Sequence, residues 1–370
     1  MMNPEPDEKP QPHTMRTITR PPQSYPRRTP ELYNFRYADE KLARLFLRGQ
    51  CEECQSTPAE GIYEFCDVYV CGGKYVLLQD GAPLDFTFMD AENKSELIAT
   101  MSQCIGGGKV KPLADHPQYR DTKANVVICK RGADNYGHFL VEVLPKLLIL
   151  FDAGVRECTL WLADESKPFV ELVQNLSRVL RLRIEVAFVG SESVYRFPSL
   201  VLPSPVSQHD SRKSYTLLQT RDLLKHAYDI RPVASKNSVF VCRSGAVRRK
   251  IVNFEGVRKV LDRARVAVID PGAMSFKQQI QTFSSANVVI GGLGAGMTNM
   301  LFCGKESRMV LITPGLGDNF FWDLCCLCGH KYTSIFAKPL DAHTVERSFA
   351  DYDVPLNSLE ECLRNLCLFA

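Results

Sequence analysis

From about residue 121 onward, short apolar runs alternate with stretches whose apolar residues recur every three or four positions. This alternation restricts the chain to α/β folds built on parallel strands. Thr159-Leu160-Trp161-Leu162 reads as a strand, Phe169, Leu172, Val173, Leu176, Val179 and Leu180 mark one face of a helix, and residues 184–189 form the next strand. A helical stretch from Ser214 to Asp229 ends in residues 231–237, whose proline and polar side chains stop the helix and read as a linker. A second series follows, with strands at 239–243, 266–269, 286–290 and 309–312. Its helices start at Asn253, at Ser275 with Gln278 completing a capping box, and at Asp318.

A chain of 370 residues exceeds one hydrophobic core and suits two domains plus extras. Residues 1–30 are rich in proline and poor in apolar residues, which predicts a disordered tail whose Arg16, Arg20, Arg27 and Arg28 are solvated or touch anionic lipid. Residues 31–115 read as an N-terminal helix and a small β-rich lead-in, with a hairpin formed by Tyr63–Val70 and Tyr75–Leu78 around Cys71-Gly72-Gly73-Lys74. Residues 116–235 and 236–345 are the two α/β domains, and 346–370 end in a helix that packs back on the body. A net charge of +3 gives no electrostatic case for nucleic acid. No run of about 18 apolar residues exists and the first residues lack a signal pattern, so the expected location is the cytoplasm, with peripheral contact at the inner membrane an option. Most of the 14 cysteines sit in apolar strands and helices, where a reduced thiol acts as a small hydrophobe. Cys51 and Cys54, followed by Cys66 and Cys71, have a spacing that can hold zinc, but incidental thiols are the default reading.

Two motifs carry chemistry. After the apolar run Val126-Val127-Ile128-Cys129 comes Asn135-Tyr136-Gly137-His138-Phe139-Leu140-Val141-Glu142-Val143-Leu144-Pro145-Lys146. His138 and Glu142 stand one helical turn apart and can act as a base and the group that orients it. The bland alternative has His138 capping the helix and Glu142 paired with Lys146. The second motif is Gly291-Gly292-Leu293-Gly294-Ala295-Gly296-Met297-Thr298-Asn299, a glycine-rich turn between a buried strand and a helix. Such turns let backbone N–H groups close on a phosphate, with the helix dipole favouring the anion.

Together with the strand Val239–Ser244, the segment Arg248–Glu255 and the helix Phe276–Phe283, these motifs occur in an order that resembles glycosyltransferase family 61, over roughly residues 60 to 340. The resemblance implies two Rossmann-like domains facing a cleft (GT-B type), a nucleoside-diphosphate sugar donor, UDP by preference, and inversion at the sugar carbon. It places His138 and Glu142 as the catalytic pair and Asn135 and Tyr136 at the acceptor. Arg243, Arg248, Lys250, Gly292, Gly294, Ala295, Gly296, Thr298 and Asn299 fall at the donor. The acceptor expected from soluble bacterial-type members is a glycan or glycolipid in surface polysaccharide synthesis.

No cofactor or metal is called for, since cationic side chains and a helix N-terminus can stabilise a departing diphosphate. Asp351-Tyr352-Asp353 resembles a metal-binding DxD but lies after the second domain. Two departures stand out: Phe139 replaces the family's usual Trp, and Leu293 replaces the usual His of the glycine loop. The second leaves open a non-catalytic nucleotide-sugar or glycan-binding protein. Gly292-Leu293-Gly294, with Asp318 some way downstream, also leaves open a dinucleotide-dependent oxidoreductase, although Met297 stands where its third glycine belongs.

Overall fold

The computed structural model describes residues 15–38, 53–72, 123–130, 132–190, 193–207, 212–231, 237–243, 247–315, 319–340 and 349–369, with short pieces between them. Its strands are β1 (Thr17–Arg20), β2 (Gln23–Pro26), β3 (Glu31–Tyr33), β4 (Cys54–Thr57), β5 (Glu60–Cys71), β6 (Val76–Gln79), β7 (Ala82–Pro83), β8 (Val110–Lys111), β9 (Ala124–Val127) and β10 (Glu157–Ala163). There follow β11 (Arg183–Val189), β12 (Val194–Pro203), β13 (Asn237–Val241), β14 (Ala267–Ile269), β15 (Ala286–Gly292), β16 (Arg308–Thr313), β17 (Lys331–Phe336), β18 (Lys338–Pro339) and β19 (Tyr352–Asp353).

The first sheet runs β11-β10-β9-β12-β5-β6-β7, with β1 also on β5 and β8 on β12. Strands β11, β10, β9 and β12 are parallel, as the strand and helix alternation requires, and β10 is buried along nearly its whole length. From β12 onward the sheet turns antiparallel, because β12 pairs with β5 from Val194↔Cys71 to Pro203↔Ile62. The β-rich segment before residue 115 is therefore continuous with the first sheet and not a separate lead-in. Its hairpin forms as expected, with Val70 opposite Leu77.

The second sheet, β14-β13-β15-β16-β17-β3, is parallel throughout. Its inner strands β13, β15, β16 and β17 are largely buried, which explains their continuous apolar runs such as Val288-Val289-Ile290, while the edge strands β14 and β3 are partly exposed. Helix Phe254–Arg263 packs on one face with helix Leu356–Asn365 against it, where Leu356 closes on Gly256. Helix Phe276–Ser284 carries the capping box of Ser275 and Gln278. Helix Asn319–Cys328 is buried over nearly all its length.

The expected solvated tail is corrected for residues 15–30. β1 joins the first sheet, β2 pairs with β4, and β3 forms the edge of the second sheet beside β17. Arg20 binds Asp152, and Arg27 forms a buried ion pair with Asp323 at 2.9 Å while its guanidinium lies over Trp322. Buried pairing partners far along the chain, rather than local apolar content, hold this segment. Residues 1–14, Cys51 of the cysteine motif, Asp318 and most of the 231–237 linker lie outside the described residues. Among the described residues, Cys54 and Cys66 are exposed, and no helix is long and apolar enough to cross a membrane.

Candidate functional site

In the second sheet the five strands from β13 to β17 lie in the order second, first, third, fourth, fifth, so the chain direction of travel reverses between β13 and β15. Loops leaving the carboxyl ends of strands at such a reversal diverge and leave a crevice, the general ligand site of open α/β sheets. Here β13 delivers Cys242 and Arg243, β15 delivers the glycine loop, and β14 delivers Asp270. A cleft of about 790 Å³ opens at this point, lined by Arg243, Arg248, Arg249, Asp270, Phe276, Ala295 and Gly296 from the second half of the chain and by Asn135, Tyr136 and Phe169 from the first. A neighbouring cavity of about 680 Å³ shares Arg243 and Arg249 and adds Lys250, Gly292 and Tyr352. Most of the residues expected at donor and acceptor thus converge on adjoining spaces.

The glycines of the loop serve close approach. A Cβ on Gly294 would come within 3.1 Å of Arg243 Cδ, so the guanidinium stem lies directly over this glycine. A Cβ on Gly291 would strike Met297 Sδ at 2.5 Å, and one on Gly292 would strike Tyr352 Oη at 2.3 Å. Gly294 itself is extended, at φ 172°, and the helix it opens is a 3₁₀ helix, Ala295–Phe302. Leu293, where the family has His, is buried in the core, its N–H bonded to the Ile312 carbonyl and its own carbonyl accepting from Arg249 Nη1 at 3.2 Å. No imidazole stands at this point of the loop.

Thr298 and Asn299 are wholly buried. Asn299 gives its Nδ2 protons to Gln279 Oε1 and the Gly296 carbonyl, while its Oδ1 accepts from Tyr136 Oη at 2.7 Å. Its amide therefore braces the loop from behind, a role different from the expected contact with a donor. Arg248 is exposed with its guanidinium 4.7 Å from the Phe349 ring centre. Lys250 donates its backbone N–H to Asp351 Oδ1 at 2.7 Å, which commits one carboxylate of the DxD-like run to holding the 247–252 loop against residues 349–353.

The first-half motif begins with Asn135 capping the turn, its Oδ1 accepting from Gly137 N–H at 2.8 Å. Gly137 lies flat against the glycine loop: a Cβ there would meet Thr298 Oγ1 at 2.7 Å and Ala295 Cα at 3.6 Å. Tyr136 stacks on Phe276 at 6.1 Å, with Phe169 tilted beside both, so aromatic rings from the two halves form one wall of the cleft. The helix then widens to a π turn over Phe139–Val143, with Leu144 N–H reaching back to the Phe139 carbonyl, before Lys146–Asp152 continues it. Such widenings recur at functional sites.

His138 and Glu142 do meet, Nδ1 to Oε2 at 2.9 Å. Glu142 also forms an ion pair with Lys130, whose Nζ stands 3.4 Å from His138 Nδ1. Lys130, not Lys146, is thus the cation for Glu142. Lys146 instead sits close to the Cys129 thiol; burial pushes the lysine down to about 8 and pushes the thiol up. Neither His138 nor Glu142 lines the cleft. The His138 ring faces Phe320, 6.4 Å away, so the dyad lies on the other side of the turn from Asn135 and Tyr136.

Sequence reasoning passed over Lys130, Asp270 and the Phe169 and Phe276 wall. Both charged residues had a readable signal, since each directly follows an apolar strand run, where α/β sheets present ligand-binding side chains. Among the described residues, no group of three His, Cys, Asp or Glu side chains is arranged to hold a metal ion.

The model of one protein family, Glycosyltransferase 61, matches residues 136–310. The match starts within the Asn135 to Lys146 motif and takes in Arg243, Asp270 and the whole glycine loop, which supports assigning the chain to that family. No curated protein matches the chain.

Proposed function

We propose that this chain, a member of glycosyltransferase family 61, moves a sugar from a nucleoside-diphosphate donor, UDP by preference, to a hydroxyl of a glycan or glycolipid, inverting the sugar carbon, with its two halves acting as the facing domains of a GT-B-type transferase. The observation that carries the reading is the convergence of Arg243 and the Gly294–Gly296 backbone at the strand-order reversal, with Asn135 and Tyr136 of the other half across the same cleft. Among the described lining residues three guanidiniums, those of Arg243, Arg248 and Arg249, stand against one carboxylate, that of Asp270. That excess suits a diphosphate, and planar guanidiniums bind its oxygens in pairs. As charge builds on the leaving group, these fixed donors stabilise it without reorganising.

Proton removal from the acceptor falls in this reading to His138, with Glu142 holding its Nδ1 side, so that Nε2 is the atom for the transfer. The imidazole lies outside the lining of the cleft, on the other side of the turn that carries Asn135 and Tyr136, so in this reading the acceptor hydroxyl comes to Nε2 from that side. Surface polysaccharide or glycolipid assembly is the setting in which such an acceptor would be met.

Calorimetric titration with UDP, GDP and NADH tests the proposal. Micromolar binding of one nucleoside diphosphate, lost in Arg243→Ala, supports it; binding of NADH alone defeats it. The buried Leu293 gives a second reading some footing, that of a nucleotide-sugar binder without turnover. Donor bound with neither transfer nor slow hydrolysis would select that one.

A further inference from the structure

Tyr136 is joined to two loops of the other half by a buried file of side-chain amides. Its Oη bonds Asn299 Oδ1 at 2.7 Å, Asn299 Nδ2 bonds Gln279 Oε1 at 2.9 Å and the Gly296 carbonyl at 3.2 Å, and Gln279 Nε2 bonds the Met274 carbonyl at 3.2 Å. Both amides are buried, while Tyr136, Met274 and Gly296 stand on three separate segments of the cleft lining. The two carbonyls at the ends of the file fix the direction of every bond in it. A carbonyl only accepts, so Met274 draws the NH₂ of Gln279 to its side and turns Gln279 Oε1 towards Asn299. That oxygen and the Gly296 carbonyl then claim the NH₂ of Asn299, which leaves Oδ1 facing Tyr136, and the phenol has to donate. Burial pushes the Tyr136 phenol up, so it keeps the proton that it gives.

From this geometry we infer that Tyr136 is a positioning residue for the diphosphate site: its hydroxyl, acting through Asn299 and Gln279, sets the glycine loop of the other half, and affinity for a diphosphate depends on it. The inference rests on the transferase reading and deepens it, because the motif of the first half becomes part of what holds the leaving group. It also takes the Tyr136 hydroxyl away from the acceptor contact expected of it, since its proton is given to Asn299. Without that hydroxyl, Asn299 Oδ1 is a buried acceptor that has lost its donor, a costly state that the amide escapes only by turning. Both bonds to Gly296 and Gln279 leave from the one nitrogen, so a turn disturbs them together. Gly296 lines the cleft beside Ala295 and Arg243, so the disturbance falls where the diphosphate is held.

The test is calorimetry on the full chain with UDP, GDP and inorganic pyrophosphate, comparing the wild type with Tyr136→Phe, Gln279→Met and the double variant, after thermal melts show that each is folded at the titration temperature. Tyr136→Phe keeps the ring that stacks on Phe276 and removes the hydroxyl alone. It should weaken the nucleotide that the wild type binds by about 3- to 10-fold, the span of one ordinary hydrogen bond. Pyrophosphate should weaken by the same factor, because the loop and not a nucleoside contact is disturbed. A hydroxyl with a merely structural role would lower the melting temperature and leave the dissociation constant of the folded protein where it was. In the Gln279→Met background the same replacement should cost less than about twofold, since both side chains act through one amide. Affinities of Tyr136→Phe within about twofold of wild type, or fully additive losses in the double variant, overturn the inference and leave the transferase reading standing. Wild-type silence towards UDP and GDP defeats the transferase reading and this inference with it.

Discussion

Acid should loosen the support of the glycine loop through one buried imidazole. His330 is 1% exposed; its Nε2 donates to the Met300 carbonyl at 3.2 Å, and its Nδ1 is buried without a hydrogen-bond partner. Met300 belongs to the 3₁₀ helix that the glycine loop opens, so this contact ties down the far part of that helix. Burial is the largest cause that takes the imidazole from its ordinary 6.5 down to about 4, with the Met300 bond opposing it. Between those values the unfolded chain binds the proton and the folded chain does not, so stability present above pH 6.5 is lost as pH falls towards 4. At roughly 1.36 kcal/mol per unit the full loss is about 3 kcal/mol, of which about 2 kcal/mol should go between pH 7 and pH 5. His330→Gln supplies an amide donor for Met300 without a titrating group. Urea unfolding of both proteins at pH 7, 6 and 5 isolates this residue, because every other titration is shared. The wild type should lose about 2 kcal/mol more than the variant across that range, and parallel losses would refute the argument.

Gly137→Ala forces a methyl group against Thr298 Oγ1 and should cost about 1–3 kcal/mol. A lower melting temperature together with weaker nucleotide binding would show that the two motifs must touch. Asp323→Ala leaves the Arg27 guanidinium buried without its carboxylate and should cost about 3–5 kcal/mol in chemical denaturation. Leu293→His, which restores the family's usual residue, should cost about 1–3 kcal/mol by burying a polar ring, with no gain in donor hydrolysis.

The architecture of the second half could be read from sequence because parallel strands covered on both faces leave uninterrupted apolar runs, as in Val239–Val241 and Met309–Ile312. The capping box at Ser275 and Gln278 was legible for a different reason, since its two bonds span three residues. The contact between His138 and Glu142 was likewise local. Lys130 was not, because the ion pair joins the end of one element to the second turn of the next. The strands at 17–20 and 23–26 were hidden by the prolines around them and by their short length; they exist because residues 60–62 and 54–57 offer them edges. The glycine loop was recognised, yet the part that its glycines play in admitting Met297, Tyr352 and Arg243 depends on neighbours that no local pattern reveals.

The strand Glu31–Tyr33 pairs with β17, and Thr333 Oγ1 donates to Glu31 Oε2 across 302 positions of chain. During synthesis this N-terminal segment must wait for its partners, which at about 5–20 residues per second is roughly 15–60 s. Until it docks, the outer edge of β17 and the pocket for Arg27 stand open, and an open edge can pair with another chain. The last event in forming the second sheet is therefore the arrival of residues made first, and the interval before it is when the newborn chain is most exposed to aggregation.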